Sequence, residues 1–283
     1  MGWFHQIKLC RTPIFATGER LEFGKVTVMY GANGTGKTAL WEWAAGIGDA
    51  TRLKRWVEHL PTRDSFRVIV TYFDPLERNV GVTIEDGQAS YTIEGKPVPL
   101  QPHTVRFIAP KDIASIRTWE GTDDLRMLSA VFGIPVSGIA NLVQTWCPDD
   151  SALSAVELSQ GEHGAQIAVR LAGRRSRLPL GTLSFGELGI VLIEIAMALA
   201  AFLSEYSPTV LILDELATFV DDIRLQSTIE RLCTDAMRFQ TIVALPDEGA
   251  RTVRHETLSS AGASPIWLEG EPPMVKIRGT PPT

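Results

Sequence analysis

Cysteine is scarce in this chain. Cys10, Cys147 and Cys233 are odd in number, widely spaced and form no C-x-x-C pair. Neither a disulfide framework nor a thiolate metal site is expected, and the bland reading is reduced, buried thiols in a cytoplasmic protein. Histidine is scarce as well: the five, at positions 5, 59, 103, 163 and 255, fall at no metal-ligand spacing. The start, Met1-Gly2-Trp3-Phe4-His5, lacks the basic residues and apolar run of a secretory signal. No apolar stretch reaches the length of a membrane span. The most apolar one, Leu188 to Leu203, carries Glu194 in its middle and reads as a buried helix, so no membrane partner is expected. Internal repeats, heptads and low-complexity segments are missing too. Finally, there is no basic excess: 27 Lys+Arg against 33 Asp+Glu leave a net charge of −6. That argues against a general nucleic-acid surface and leaves room only for a local one.

What is present is an ordinary globular composition, 45% hydrophobic and 21% charged over 283 residues, enough for one large domain or two small ones. One stretch organises the rest. Gly31-Ala32-Asn33-Gly34-Thr35-Gly36-Lys37-Thr38 fits G-x-x-x-x-G-K-[ST]. Backbone N–H groups converge on a phosphate only where the chain passes close to it, and Gly31, Gly34 and Gly36 permit that approach. Lys37 supplies a point charge for β- and γ-phosphate oxygens, and Thr38 a hydroxyl for Mg²⁺. The context fits: the β-branched run Lys25 to Tyr30 reads as a buried strand before the loop, and Thr38 to Ala45 as a helix after it.

Around that loop the chain alternates strands and helices. Phe4 to Leu9 reads as a first strand. Asp49 can cap a helix to Leu60, whose Arg52, Lys54 and Arg55 form a solvated basic face. Phe66 to Phe73, Val80 to Ile84 and Ala89 to Ile93 read as strands separated by the turns Glu85-Asp86-Gly87 and Glu94-Gly95-Lys96-Pro97. The apolar run Thr104 to Ala109 follows, then helices at Asp123 to Phe132 and Val136 to Trp146, and strands at Ala155 to Leu158 and Ala165 to Leu171. A long buried helix, the strand Thr209 to Leu213, an amphipathic helix from Ile223 to Met237 capped by Asp221 or Asp222, and a strand Thr241 to Leu245 complete the pattern before a tail with two short strand-like pieces.

Two further motifs carry chemistry. Val210-Leu211-Ile212-Leu213 runs into Asp214-Glu215. On a strand beside the phosphate loop, Asp214 would hold Mg²⁺ and Glu215 would orient or deprotonate the attacking water. Leu183-Ser184-Phe185-Gly186-Glu187 sits just before the long helix. Ser184 and Gly186 can bind an anion at the helix start, presented to a second copy of the protein. Ser184 with Glu187 three residues on is equally a capping box, and both readings can hold at once.

In this order the three motifs resemble an ABC-type ATPase head, and most closely the SMC, RecF and OLD-like class, whose loop commonly carries an asparagine as Asn33 does here. The resemblance spans roughly residues 1 to 250. It implies an α/β P-loop NTPase of ABC/SMC-like type, with a mixed central sheet, a β-rich N-terminal subdomain and a helical insertion. The expected organisation is one ATPase domain over 1–283: a phosphate-loop and β-rich lobe to 120, a helical and β-hairpin insertion over 121–180, and a signature lobe over 181–283. The resemblance also implies a homodimer with ATP and Mg²⁺ at its interface. Ser184 and Gly186 of one subunit would then reach the γ-phosphate held by Lys37 of the other, and Asp221 stands where the D-loop aspartate falls. The function implied is a stand-alone ATPase that switches a separate effector protein in bacterial phage defence or genome maintenance. The alternative is a RecF-like, DNA-binding repair or clamp-loading ATPase, for which Arg170, Arg174, Arg175 and Arg177 are the best basic cluster. That cluster also reads as a solvated hairpin or as the source of an arginine finger.

Three departures from the family pattern matter. The strand that should end in the switch histidine ends Leu245-Pro246-Asp247, with Asp247 as a replacement, which points to slow turnover. The Q-loop glutamine is replaced by the segment Phe107 to Asp112, or by Gln144. No coiled-coil arm is expected without heptads, and fewer than about 70 residues after Glu215 leave no room for a fused nuclease.

Overall fold

In a computed structural model of the chain the described residues are 4–47, 66–74, 76–86, 88–99, 105–110, 123–146, 151–162, 164–214, 217, 220–246 and 255–280. The helix expected from Asp49 to Leu60 lies outside them, as do Glu215 and Asp247. In chain order the elements are β1 (Phe4–Arg11), β2 (Arg20–Glu22), β3 (Val26–Tyr30), α1 (Lys37–Ala45), β4 (Arg67–Phe73), β5 (Asn79–Glu85), β6 (Gln88–Ile93), β7 (Lys96–Val98) and β8 (Arg106–Ile108). Then follow α2 (Asp124–Phe132), α3 (Val136–Gln144), β9 (Leu153–Gly161), β10 (Gly164–Leu171), β11 (Leu178–Pro179), α4 (Phe185–Ser204), β12 (Thr209–Leu213), α5 (Asp222–Cys233), β13 (Gln240–Leu245), α6 (His255–Ser260), β14 (Ser264–Glu269) and β15 (Lys276–Arg278).

The strands form three sheets. The central one runs β15-β14-β3-β13-β12-β8, parallel except for β15. Its middle strands, β3, β12 and β13, are largely apolar and buried along their whole length because both faces are covered. Val26, Val28 and Tyr30 of β3, Leu211 and Leu213 of β12, and Val243 and Leu245 of β13 enter one core with α2 to α5. Met29, Val210, Ile212, Ile242 and Ala244 point the other way, into a second core with α1 and the N-terminal strands. The period of two that sorts a strand's side chains thus divides the interior in two.

The second sheet, β2-β1-β4-β5-β6-β7, is antiparallel throughout. Buried Gln240 ties it to the central sheet: its amide accepts from Phe4 N (2.9 Å) and donates to the carbonyls of Phe4 (2.8 Å) and Gly24 (2.7 Å). The turn expected over Glu94 to Pro97 is tighter than anticipated. Glu94 and Gly95 take positive φ (49° and 75°), so the chain reverses within two residues and β7 already begins at Lys96.

The third sheet, β11-β10-β9, is a hairpin carrying α2 and α3. Asp123 caps α2 by accepting from Arg126 N at 3.1 Å, and Gly133 ends the helix at φ 64°. The next residue, Asp124, is buried and accepts from Ile167 N on β10 at 2.5 Å, which pins helix to hairpin.

Helix α4 is long and apolar enough to cross a membrane by length and composition, but most of it is buried inside the protein, where it packs on β12 and β8. Glu194 survives there because it is paired. Arg231 of α5 donates to both its oxygens (2.6 and 3.1 Å) and Ser151 Oγ donates at 2.9 Å. Helix α5 stops at Cys233, earlier than the expected Met237. Thr234 turns extended (ψ 154°), and its N–H and hydroxyl both return to the Arg231 carbonyl.

Candidate nucleotide site

The phosphate loop leaves the C-terminal end of β3, the end where parallel α/β sheets gather their ligands. Gly34 and Gly36 take φ of 87° and 92°. At Gly36 a side chain is also excluded by space, because a Cβ there would lie 2.7 Å from Ile14 and 2.9 Å from Phe15. Gly31 has a different reason: its Cβ would meet Thr35 Oγ1 at 2.6 Å and the Leu268 carbonyl at 3.1 Å. Buried Thr35 staples the loop from within, its hydroxyl donating to the Ala32 carbonyl at 2.9 Å. Ala32, Asn33 and Gly34 are left at the exposed tip. Gly36 precedes α1 without any side-chain cap or acidic residue in the first turn, so the helix start keeps its positive end for an anion. Lys37 folds over the loop, and its Nζ donates to the carbonyls of Gly31 (2.6 Å) and Ala32 (3.0 Å).

Asp214 follows β12, which is not the hydrogen-bonded neighbour of β3. Strand β13 lies between them. The contact expected of two adjacent strands is therefore made by α1, which reaches across. Thr38 Oγ1 donates to Asp214 Oδ2 at 2.6 Å and Trp41 Nε1 donates to the same oxygen at 2.9 Å. Thr38 and Trp41 are three apart and share one helix face. That spacing was the available signal for Trp41, which the sequence reading passed over. A hydroxyl and a carboxylate 2.6 Å apart, beside a phosphate loop, fit Mg²⁺, which takes few protein oxygens and completes its octahedron with phosphate and water. Among the described residues no cluster of three or more His, Cys, Asp or Glu offers a self-contained metal cage.

The signature residues lie at the start of α4. Ser184 is the cap in a complete capping box: Glu187 N donates to Ser184 Oγ (3.4 Å), while Ser184 N (2.9 Å) and Ser184 Oγ (2.8 Å) donate to Glu187 Oε2. Gly186 sits in the first turn of that helix. Arg174 pairs with the other Glu187 oxygen. The Ser184 N–H and hydroxyl, with Arg174 and Arg224 nearby, hold the Glu187 carboxyl below its ordinary range despite some burial. Asp221 caps α5, accepting from Arg224 N at 3.0 Å and facing Arg224 Nε at 3.5 Å. Within one chain the side-chain hydrogen bonds described for Ser184 are made with Glu187 and not with the phosphate loop.

The basic cluster is largely engaged by its own surroundings. Arg170 Nε donates to Ser154 Oγ (2.9 Å), Arg177 pairs with Glu157 (2.7 Å) and Arg174 with Glu187, while Arg175 is exposed. This is the solvated-hairpin reading for most of the cluster. Of the two Q-loop candidates, β8 runs beside β12, whereas Gln144 ends a helix that packs on α2 and β9.

Solved structures resemble the whole chain. The SMC head domain from Thermotoga maritima aligns with a TM-score of 0.56 at 19% identity, covering 99% of each chain. The Smc head domain from Pyrococcus furiosus, bound to the C-terminal domain of ScpA, aligns at 0.60 and 12% identity over 98% of this chain and 96% of that one. The recombination mediator protein RecF, in its RecF-ATPrS structure, aligns at 0.53 and 13% identity over 98% of each. No protein-family model matches the sequence, and no curated protein matches it. The fold is that of the SMC head domains and RecF, a P-loop architecture.

Proposed function

We propose that this protein is an ATP-binding, slowly hydrolysing switch that dimerises around ATP and controls a separate effector protein in bacterial phage defence or genome maintenance. The observation that carries the reading is the hydrogen bond from Thr38 Oγ1 to Asp214 Oδ2, 2.6 Å long, beside the phosphate loop. Residues 31–38 cradle the triphosphate, with Lys37 turning from the loop carbonyls to the β- and γ-phosphates. Thr38 and Asp214 hold Mg²⁺, which when bound neutralises charge on the phosphates. Glu215, next in sequence after Asp214, takes a proton from water as the water oxygen bonds to the γ-phosphorus. The bond to the bridging oxygen breaks, leaving ADP and phosphate. Ser184 and Gly186 of a second copy close the site over the γ-phosphate, and Asp221 lies at the same interface. We take the chain as one ATPase domain over 1–283, with the lobe boundaries of the sequence reading at 120 and 180.

Lys37→Ala should lower ATP hydrolysis by about 100-fold or more, the usual scale for removing a positioned charge from a transferring phosphoryl group. Unchanged hydrolysis would sink the enzyme reading. Glu215→Gln should trap the dimer with ATP in light scattering. An Smc head solved with the C-winged helix domain of ScpA supports the idea of a protein partner. The RecF-like, DNA-binding reading rests on the likeness to RecF and on the arginine cluster. The engagement of Arg170, Arg174 and Arg177 by the hairpin and α4 makes it the second choice. Salt-dependent DNA binding with a steep slope of log K on log salt would reverse that order.

A further inference from the structure

Glu187 presents a difficulty that the dimer must solve. A serine hydroxyl carries one proton, and that of Ser184 is given to Glu187 Oε2 at 2.8 Å. To donate to a γ-phosphate held by a second copy, Ser184 Oγ has to leave this acceptor. The carboxylate it leaves stands three residues away on the same helix start, and it meets the incoming anion as a like charge. Among the described residues the cation paired directly with Glu187 is Arg174, in the turn between β10 and β11, bound to Oε1. Its side chain is half exposed.

We propose that Arg174 is the positioning residue of the signature half-site: it holds and neutralises Glu187 so that Ser184 can exchange Glu187 for the nucleotide bound by the other subunit. The proposal rests on the ATP-gated dimer argued above. It gives the β-hairpin a task, since Arg174 is carried on a turn whose flanks are fixed by Arg170–Ser154 and Arg177–Glu157. Arginine suits the task because a planar guanidinium can engage a carboxylate on one edge and keep donors free on another, which an ammonium does less well.

The test uses the full chain with Glu215→Gln as reference, light scattering with ATP for dimerisation, and a fluorescent ATP analogue for nucleotide binding to the single subunit. Adding Arg174→Ala should weaken ATP-dependent dimerisation by about tenfold or more while analogue affinity stays within about threefold. Adding Glu187→Gln to Arg174→Ala should restore dimerisation to within about threefold of the reference, because the neutral amide keeps the cap and removes the charge. Arg174→Lys should recover part of the loss. Arg174→Ala that dimerises like the reference, or a double variant no better than Arg174→Ala, overturns the proposal. A reference that stays monomeric with ATP overturns the dimer itself, and is told apart because no variant then changes anything.

Discussion

The phosphate loop and the signature loop are held in opposite ways. The first is completed from a distance: Thr38 and Trp41 meet Asp214 across an intervening strand, joining residues 176 and 173 positions apart. The second is closed mainly by its own helix start, Ser184 with Glu187 three residues on, and by one arginine from a nearby turn. The phosphate loop, stapled from within by Thr35 and Lys37, gains its contact with Asp214 only where the central sheet and α1 pack together. Its glycines are fixed by crowding as well as by φ. The signature loop forms with its helix, and the Ser184 side chain has its partner within the chain. In the dimer proposed above, the first half would receive the nucleotide, and the second would have to give up a partner to bind it. That is the arrangement expected of a switch whose second half engages only when another copy presents a phosphate.

The sharpest way to break this comparison is Asp214→Asn. The amide oxygen still accepts from Thr38 and Trp41, so the long-range contact and the fold survive, with stability changed by about 1 kcal/mol or less. The charge that would hold the metal is gone. Hydrolysis should fall by roughly 100-fold or more. Turnover within about tenfold of the parent would mean that Asp214 is a structural acceptor and that the phosphate half is not completed by it.

The same contrast marks what was legible in the sequence. The phosphate loop, the Ser184–Glu187 box and the Asp221 cap are local patterns, and each occupies its expected place on a helix start. The central strands were legible because burial on both faces leaves a largely apolar run. What could not be read is pairing at long range. The position of β13 between β3 and β12, the reach of Trp41 to Asp214, and the partners of Arg174 and Arg231 depend on topology, which no spacing in the chain encodes. Helix α6 was missed because six residues give too short a periodic signal. Leu188 to Leu203 is largely buried, and Glu194 is tolerated there because Arg231 pairs with it, a partner that no local spacing encodes.

A second prediction probes the hairpin that carries Arg174. Burial pushes the Asp124 carboxyl up to about 6, nearby Asp123 adds to this, and the Ile167 N–H opposes it. An unfolded aspartate titrates near 4, so between about pH 4 and 6 the folded chain binds the extra proton. The protonated form therefore stabilises most below about pH 4, and that contribution is lost as the pH rises through about 6. Above it, the buried charge costs on the order of 2–3 kcal/mol. Asp124→Asn keeps an acceptor for Ile167 and removes the titration. By urea unfolding it should be more stable than the parent by about 2 kcal/mol at pH 8, with the difference vanishing near pH 4. A difference that does not vary with pH would show that the hairpin anchor is not a buried ionisable contact.

The smallest effect is the most discriminating for the signature half, because the proposed dimer gives Ser184 two tasks there. As a helix cap it can be replaced by glycine at a cost of a few tenths of a kcal/mol, whereas alanine costs about 1 kcal/mol. Its extended backbone (φ −62°, ψ 159°) is open to glycine without strain. As a donor to the second copy's nucleotide it can be replaced by neither. Ser184→Gly and Ser184→Ala should then differ in thermal stability but weaken ATP-dependent dimerisation equally, each by about tenfold. If dimerisation instead follows stability, with glycine close to the parent and alanine clearly worse, Ser184 serves only its own helix. The signature loop would then be as self-contained in function as it is in structure, and the contact with the second copy would have to be made by the backbone around Gly186.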